Sequence, residues 1–393
     1  MLQVALGWEL YERTHSALAL GLVGLATALP VVILALPAGD LADRMDRKKI
    51  LIWAQVGFIV AGFALAALSY WRGPVALIYA VLLARGAGQA YNNPARQALL
   101  PRLIPPDVFG NAVTWASSAF QVAAVVGPGI GGLVIAIERG ATGAYIISSL
   151  LTVIYLWTLL EIRAPGEPQT AEFASRQKEK MTLESLAAGL RFVRDDKVIL
   201  AALTLDLFAV LLGGATALLP IFAKDILHVG PQGLGWLRAA PSVGALIVAM
   251  TIAHRPAMTR TGWTLLIAVV GFGLATVVFG LSKSFVLSMA MLFLLGALDG
   301  ISMIIRATLV QLRTPDEMRG RVSAVNSVFI DMSNELGGFE SGALAALVGP
   351  VTAVVAGGVG TVVVVSVVAL AWPGLRQLGP LQPVIPDDQP EDT

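Results

Sequence analysis

Stretches of about 20 apolar residues recur along this chain with short charged segments between them, and each is long enough to cross a hydrocarbon core of roughly 30 Å. They fall at 17–38, 50–70, 74–95, 112–137, 142–162, 198–223, 232–253, 263–282, 285–306, 322–348 and 351–372, eleven full spans. No run alternates apolar and polar residues, and an open sheet cannot satisfy its backbone in lipid, so the spans read as helices. The expected fold class is an all-α, polytopic membrane protein. Composition agrees: only 13% of the 393 residues are charged, too few to cover a soluble surface of this size.

The same numbers exclude several functions. A net charge of +1 gives no bulk attraction to nucleic acid. The absence of cysteine excludes disulfides, iron–sulfur clusters and thiolate zinc sites. His15, His228 and His254 lie in polar stretches between apolar runs, so neither metal nor cofactor is expected. No Walker-type loop and no nucleophile–base pair stand out, which argues against an enzyme. The partners expected are the lipid bilayer and, through the spans, something that crosses it.

The beginning of the chain is unusual. Residues 1–12 are apolar, but twelve helical residues rise only about 18 Å. They are expected to be the second half of a first span, the true start lying upstream or, less in keeping with the rest, the protein being naturally shortened. Gln3 and Glu9 stand where a signal peptide would carry basic residues, so insertion is expected to use the spans themselves.

Charge sets the orientation. If segment 39–49 is cytoplasmic and the spans alternate, twenty lysines and arginines, Arg306 among them, fall inside. Only Arg13, Arg72, Arg139, Lys224 and Lys283 fall outside, with Arg85 and Arg238 left within spans. This bias is the positive-inside pattern. The polar stretch around 164–196 then becomes a cytoplasmic linker between an N-terminal bundle (1–163) and a C-terminal bundle (197–375). An amphipathic helix is expected around Leu183–Val193, and a cytoplasmic tail follows at 376–393.

The two halves are related. A shift of 210 residues places Trp53 on Trp263, Arg96 on Arg306, Pro105 on Pro315, Gly110 on Gly320, Ser117 on Ser327, Gly127 on Gly337 and Gly132 on Gly342. A shift of 211 places Gly24 on Gly235 and Pro30 on Pro241. Duplicated halves around a central pathway are a recurring transporter architecture.

Several segments carry chemistry. Gly39-Asp40-Leu41-Ala42-Asp43-Arg44-Met45-Asp46-Arg47-Lys48-Lys49 joins the second and third spans. It predicts a tight turn at Gly39 and a carboxylate, Asp43, that can reach the N-terminus of a facing helix. Gly127-Pro128-Gly129-Ile130-Gly131-Gly132 predicts a kinked helix with a close contact. Arg85 cannot lose its proton and must face a partner or water. Gln89 and Asn92 follow it at helical spacing, giving one polar face.

Asp206, Asp299, Asp331, Glu335, Glu340 and Arg238 are the other ionisable groups within spans, and each is a functional-site candidate. Asp206 and Glu335 should lie nearest the midplane. Asp299 and Asp331 fall in the cytoplasmic half, where pairing with Arg306 is a rival explanation. Ser327, Asp331 and Glu335 share one helix face, and a carboxylate in a partly dry cavity can load a proton. Arg238 lies close enough to the outer surface to snorkel.

Segment 39–49 is similar to the major facilitator superfamily signature GxLaDRxGRkk, with Asp46 where glycine is usual. The resemblance implies a gating latch formed by Gly39, Asp43, Arg44 and Arg47. Its counterpart in the second half, around His254 to Arg260, lacks the acid. Arg85 with Gly86 and Gly88 loosely resembles the family's RxxxGxG pattern, tied in related exporters to proton coupling. Gly127, Pro128, Gly131 and Gly132 match the antiporter motif GPxxGG, which implies export. Gln311 to Ser323, Asn334 to Gly337, Phe339 to Gly342, Gly357 to Thr361 and Asn93 to Pro101 resemble the enterobactin-exporter-like branch. That resemblance implies a monomeric, bacterial inner-membrane protein in which protons drive efflux of an amphipathic small molecule, siderophore- or drug-like. The alternative on the same fold is a facilitator or proton symporter for uptake.

Overall fold

The computed structural model describes residues 1–105, 107–162, 183–254 and 260–379, and within these the side chains of Asp43, Arg44, Ser327 and Asp331 are among those outside the described set. Segment 164–182 of the expected linker, Arg255 and the tail from 380 also lie outside the described residues. Among the described residues the longer helices carry the fold. The first bundle contains α1 (Leu2–Thr14), α2 (Ala17–Arg44), α3 (Arg47–Tyr70), α4 (Val75–Leu103), α5 (Phe109–Glu138) and α6 (Thr142–Glu161). Helix α7 (Leu183–Asp195) follows. The second bundle contains α8 (Lys197–Leu212), α9 (Gly230–Ala253), α10 (Thr261–Leu281), α11 (Phe285–Arg313), α12 (Asp316–Val348) and α13 (Pro350–Ala371).

Helix ends follow local chemistry. Asp46 caps α3 by accepting from the Lys48 amide at 2.9 Å, which accounts for an acid at the position where the signature carries glycine. Lys48 donates from Nζ to the carbonyls of Leu160 and Ile162 at 2.9 and 2.7 Å, capping the end of α6. Asp196 caps α8 through the amides of Val198 and Ile199 and pairs with Arg313 at 2.9 Å. The tight turn expected at Gly39 is not there. Helix α2 runs through Gly39 to Arg44, and the chain turns at Met45 and Asp46.

Eleven spans were expected, and nine helical segments among the described residues are both long and apolar enough to cross a membrane. The two that fall short, α4 and α12, have 29 and 33 residues, so their length suffices. Their polarity is the reason: they carry Arg85, Gln89 and Asn92, and Asp331, Glu335 and Glu340. The span expected over 198–223 is present within Lys197–Ile226, but its winding is not uniform. After α8 ends at Leu212 the chain winds as 3₁₀-helix over Gly214–Leu218 and as π-helix over Phe222–Ile226. Gly213, Gly214 and Pro220 are the local cause.

The duplication is physical. Gly86 of α4 seats against Pro30 of α2, and Gly296 of α11 seats against Pro241 of α9. The same Gly–Pro contact therefore recurs in each bundle. Helix α7 lies on α12 and α8, where Val193 is buried with Ile199, Val310, Val322 and Val325.

The bundles meet chiefly at two crossings, α2 with α12 and α5 with α9. Both lie at the end opposite α7, here called the far end; the end bearing α7 and the α2–α3 turn is the linker end. At the linker end the bundles stand apart. Every residue of α5 from Val113 to Phe120 is exposed, over more than two turns. A helix touching only lipid would still bury one face. A chamber therefore opens at the linker end and closes at the far end.

Candidate functional site: the closed end of a chamber

Glycine sets the closure. A methyl group on Gly132 would stand 2.5 Å from the Pro231 carbonyl oxygen and 2.9 Å from Gly235 Cα. One on Gly342 would stand 2.6 Å from Gly21 Cα and 2.8 Å from the Ala17 oxygen. Backbones touch at both crossings, as in small-residue packing of membrane helices. Within the antiporter-like string Gly132 makes this contact, and the carbonyl of Pro128 lies against Gly235. Gly127 and Gly131 lie against Met1, whereas Gly129 faces open space.

Two charged residues sit below these crossings. Glu335 of α12 packs against Gly24 and accepts from the Thr27 hydroxyl at 3.3 Å. Arg238 of α9 donates to Gln3 Oε1 at 2.9 Å and to the Thr216 carbonyl at 3.3 Å. Glu335 acts on it electrostatically. The expectation that Arg238 snorkels outward is therefore corrected: its guanidinium turns inward. Its helix face lies between the side bearing Gly235, which meets α5, and the side bearing Gly244, which meets α11. Gln3, Thr27 and Arg238 belong with this site, although sequence reasoning had not grouped them; the only signal was an arginine inside a span.

The second cluster lies inside the C-terminal bundle. Asp206 of α8 forms an ion pair with Arg306 of α11, and both are buried. Asp206, Asp299 and Ser302 line one small cavity, and Asp299 is exposed. One expectation changes here. Arg306 is a bundle residue and not a cytoplasmic loop charge, because α11 continues as helix to Arg313. Asp206 stands nine residues into its helix, where that arginine meets it.

The remaining candidates disperse. Arg85 lays its guanidinium over the Phe58 ring of α3 at 4.8 Å. Asn92 is buried and accepts from Gln55 of α3 at 3.0 Å, while Gln89 donates to Asn93 at 2.6 Å. Arg85 and Asn92 therefore both turn to α3, through Phe58 and Gln55. Glu340 is half-buried and accepts from Ser341 at 3.4 Å. Gly39 is half-buried, and Arg47 is buried at the start of α3 and engaged. Asp43, Arg44 and Asp331 have side chains outside the described set. Among the described residues no group of three or more His, Asp or Glu could hold a metal ion.

Two related bundles around a chamber closed at one end define a membrane transporter of the major facilitator fold. Comparison with known proteins agrees. The family described as transmembrane secretion effector matches residues 1–378, and the chain belongs to it. It is 29% identical to the enterobactin exporter EntS of Citrobacter koseri over 99% of this chain and 92% of that protein. It is 28% identical to the enterobactin exporter EntS of Escherichia coli O1:K1 over 98% and 91%. Solved structures show the same fold. The nucleoside transporter NupG superposes with a TM-score of 0.68 at 15% identity, covering 95% of this chain and 94% of that one. A POT family transporter in complex with 5-aminolevulinic acid gives 0.71 at 12% identity, covering 95% and 93%. The chain is a multi-pass membrane transporter and not an enzyme.

Proposed function

We propose that this protein exports an amphipathic, siderophore- or drug-like small molecule across the bacterial inner membrane in exchange for protons. The observation that carries this reading is the pair of glycine crossings that shuts the far end while the linker end stands open. With the basic linker end in the cytoplasm, cargo enters the chamber from inside and leaves when the crossings part. The linker and the C-terminus are then cytoplasmic, and the protein works as a monomer. The relatives named as enterobactin exporters support outward movement of a small molecule.

Proton loading falls to the Asp206–Asp299–Arg306 cluster, where two acids share one buried arginine. Exposed Asp299 meets chamber water, and a proton taken there changes the charge of a wall that moves with the second bundle. Coupling requires different proton affinities in the two states. Inside-out vesicles with an acidic lumen, and so an outward-directed proton gradient, should accumulate enterobactin. Accumulation by right-side-out vesicles instead would establish uptake.

The segment joining α2 and α3 is read as the latch of the opposite state, closed at the linker end, with Asp43 meeting the N-terminus of a facing helix. Asp43→Asn should reduce flux to near background while leaving membrane insertion intact. Flux equal to wild type in quantified vesicles would remove Asp43 from the mechanism.

A further inference from the structure

We infer that Arg238 is the anchor for an anionic oxygen group of the cargo, at the closed end of the chamber. The inference rests on the export reading and adds the chemistry of what is carried. Three observations point to it. An arginine cannot shed its charge and is costly at membrane depth, so its position demands compensation. Its compensation is incomplete: among the described residues two of its five N–H groups are engaged, both by neutral oxygens, those of Gln3 and Thr216. Both bundles contribute, with Gln3 from α1 and Thr216 from the 3₁₀ segment after α8.

The acid whose charge reaches Arg238 is Glu335 of α12, which accepts from the Thr27 hydroxyl at 3.3 Å. Glu335 is thus a resident counter-charge that an incoming oxyanion can replace, its own charge remaining hydrogen-bonded. Arginine suits this role because its planar fork meets a carboxylate or ionised phenol with two parallel bonds. A cationic cargo would meet the guanidinium first and be repelled. A bound anion would also touch the elements that must separate for release, since Gln3 and Arg238 lie on opposite sides of the bundle boundary.

The test compares salicylate with its neutral isostere salicylamide, binding to the purified full chain in nanodiscs by calorimetry. Wild type should bind salicylate at least about tenfold more tightly, the scale of a charge-assisted bidentate contact. Arg238→Gln should bring the ratio to about one while leaving salicylamide binding in place. Arg238→Lys keeps the charge without the fork and should retain part of the preference, which preserves the test where the glutamine variant does not fold. Equal binding of the two probes to wild type, or a preference that survives Arg238→Gln or is undiminished in Arg238→Lys, would overturn the inference. Neither outcome bears on direction: accumulation by right-side-out vesicles sinks the export reading whatever the probes do.

Discussion

Gly342→Val is expected to abolish transport and to drive the protein away from the state in which the far end is shut. The added Cβ would lie 2.7 Å from the Gly21 nitrogen and 2.8 Å from the Ala17 oxygen, and no flexible side chain is there to yield. Overpacking of this kind costs about 1–3 kcal/mol. Placed on one of two conformations, that cost shifts their balance by roughly 5- to 150-fold. The chain contains no cysteine, so Phe120→Cys and Met250→Cys can carry spin labels without further engineering. Both positions are exposed at the linker end, one in each bundle. Electron–electron resonance should show their separation shortening in Gly342→Val. Gly132→Val should act in the same sense at the other crossing. Gly129→Ala, in the same glycine-rich string but facing open space, should leave the distances unchanged. An unaltered distribution in Gly342→Val would mean that this crossing does not hold the far end shut.

Arg306→Ala should be the most destabilising single change inside the C-terminal bundle. Asp206 and Arg306 are 6% and 5% exposed, so removing the cation strands a carboxylate away from water. Breaking a buried pair from one side costs about 3–5 kcal/mol, whereas replacing both partners by apolar groups can be neutral. Thermal unfolding in detergent should therefore fall steeply for Arg306→Ala and recover in Arg306→Met combined with Asp206→Leu. The double variant separates stability from function: restored melting with lost flux assigns the pair to proton coupling. An Arg306→Ala protein that melts with wild type would contradict the buried pairing.

The helices were legible because span length and apolar composition are local properties. The duplication was legible because Gly and Pro positions that pack tightly must be kept in both halves; Gly86 and Gly296, seated against Pro30 and Pro241, show what that constraint protects. Pairings across the fold were not legible. Nothing near Arg306 in the sequence indicates that Asp206, a hundred residues earlier, will meet it. Helical spacing gave the face on which Arg238 lies but not which neighbour that face would meet, so an outward snorkel was as consistent with the sequence as the inward turn. The break after Leu212 had a signal in Gly213, Gly214 and Pro220, but an apolar run masks such a break when hydropathy is read alone. The partners of the polar residues on α4 were hidden for a related reason: Arg85 found Phe58 and Asn92 found Gln55, both on α3, which spacing along one helix cannot reveal.

The polarity of α4 and α12 also bears on how the protein is made. A segment carrying Arg85 or three acids partitions poorly from the insertion machinery into lipid by itself. Helix α4 can enter together with α3, which precedes it and supplies Phe58 and Gln55 as immediate contacts. Helix α12 touches α11, which directly precedes it, only slightly: it packs on α7 and α8, and above all on α2, synthesised some three hundred residues earlier. Its stable residence in the bilayer must therefore wait for the earlier bundle, making the assembly of the two halves a condition of completing biosynthesis rather than a step that follows it.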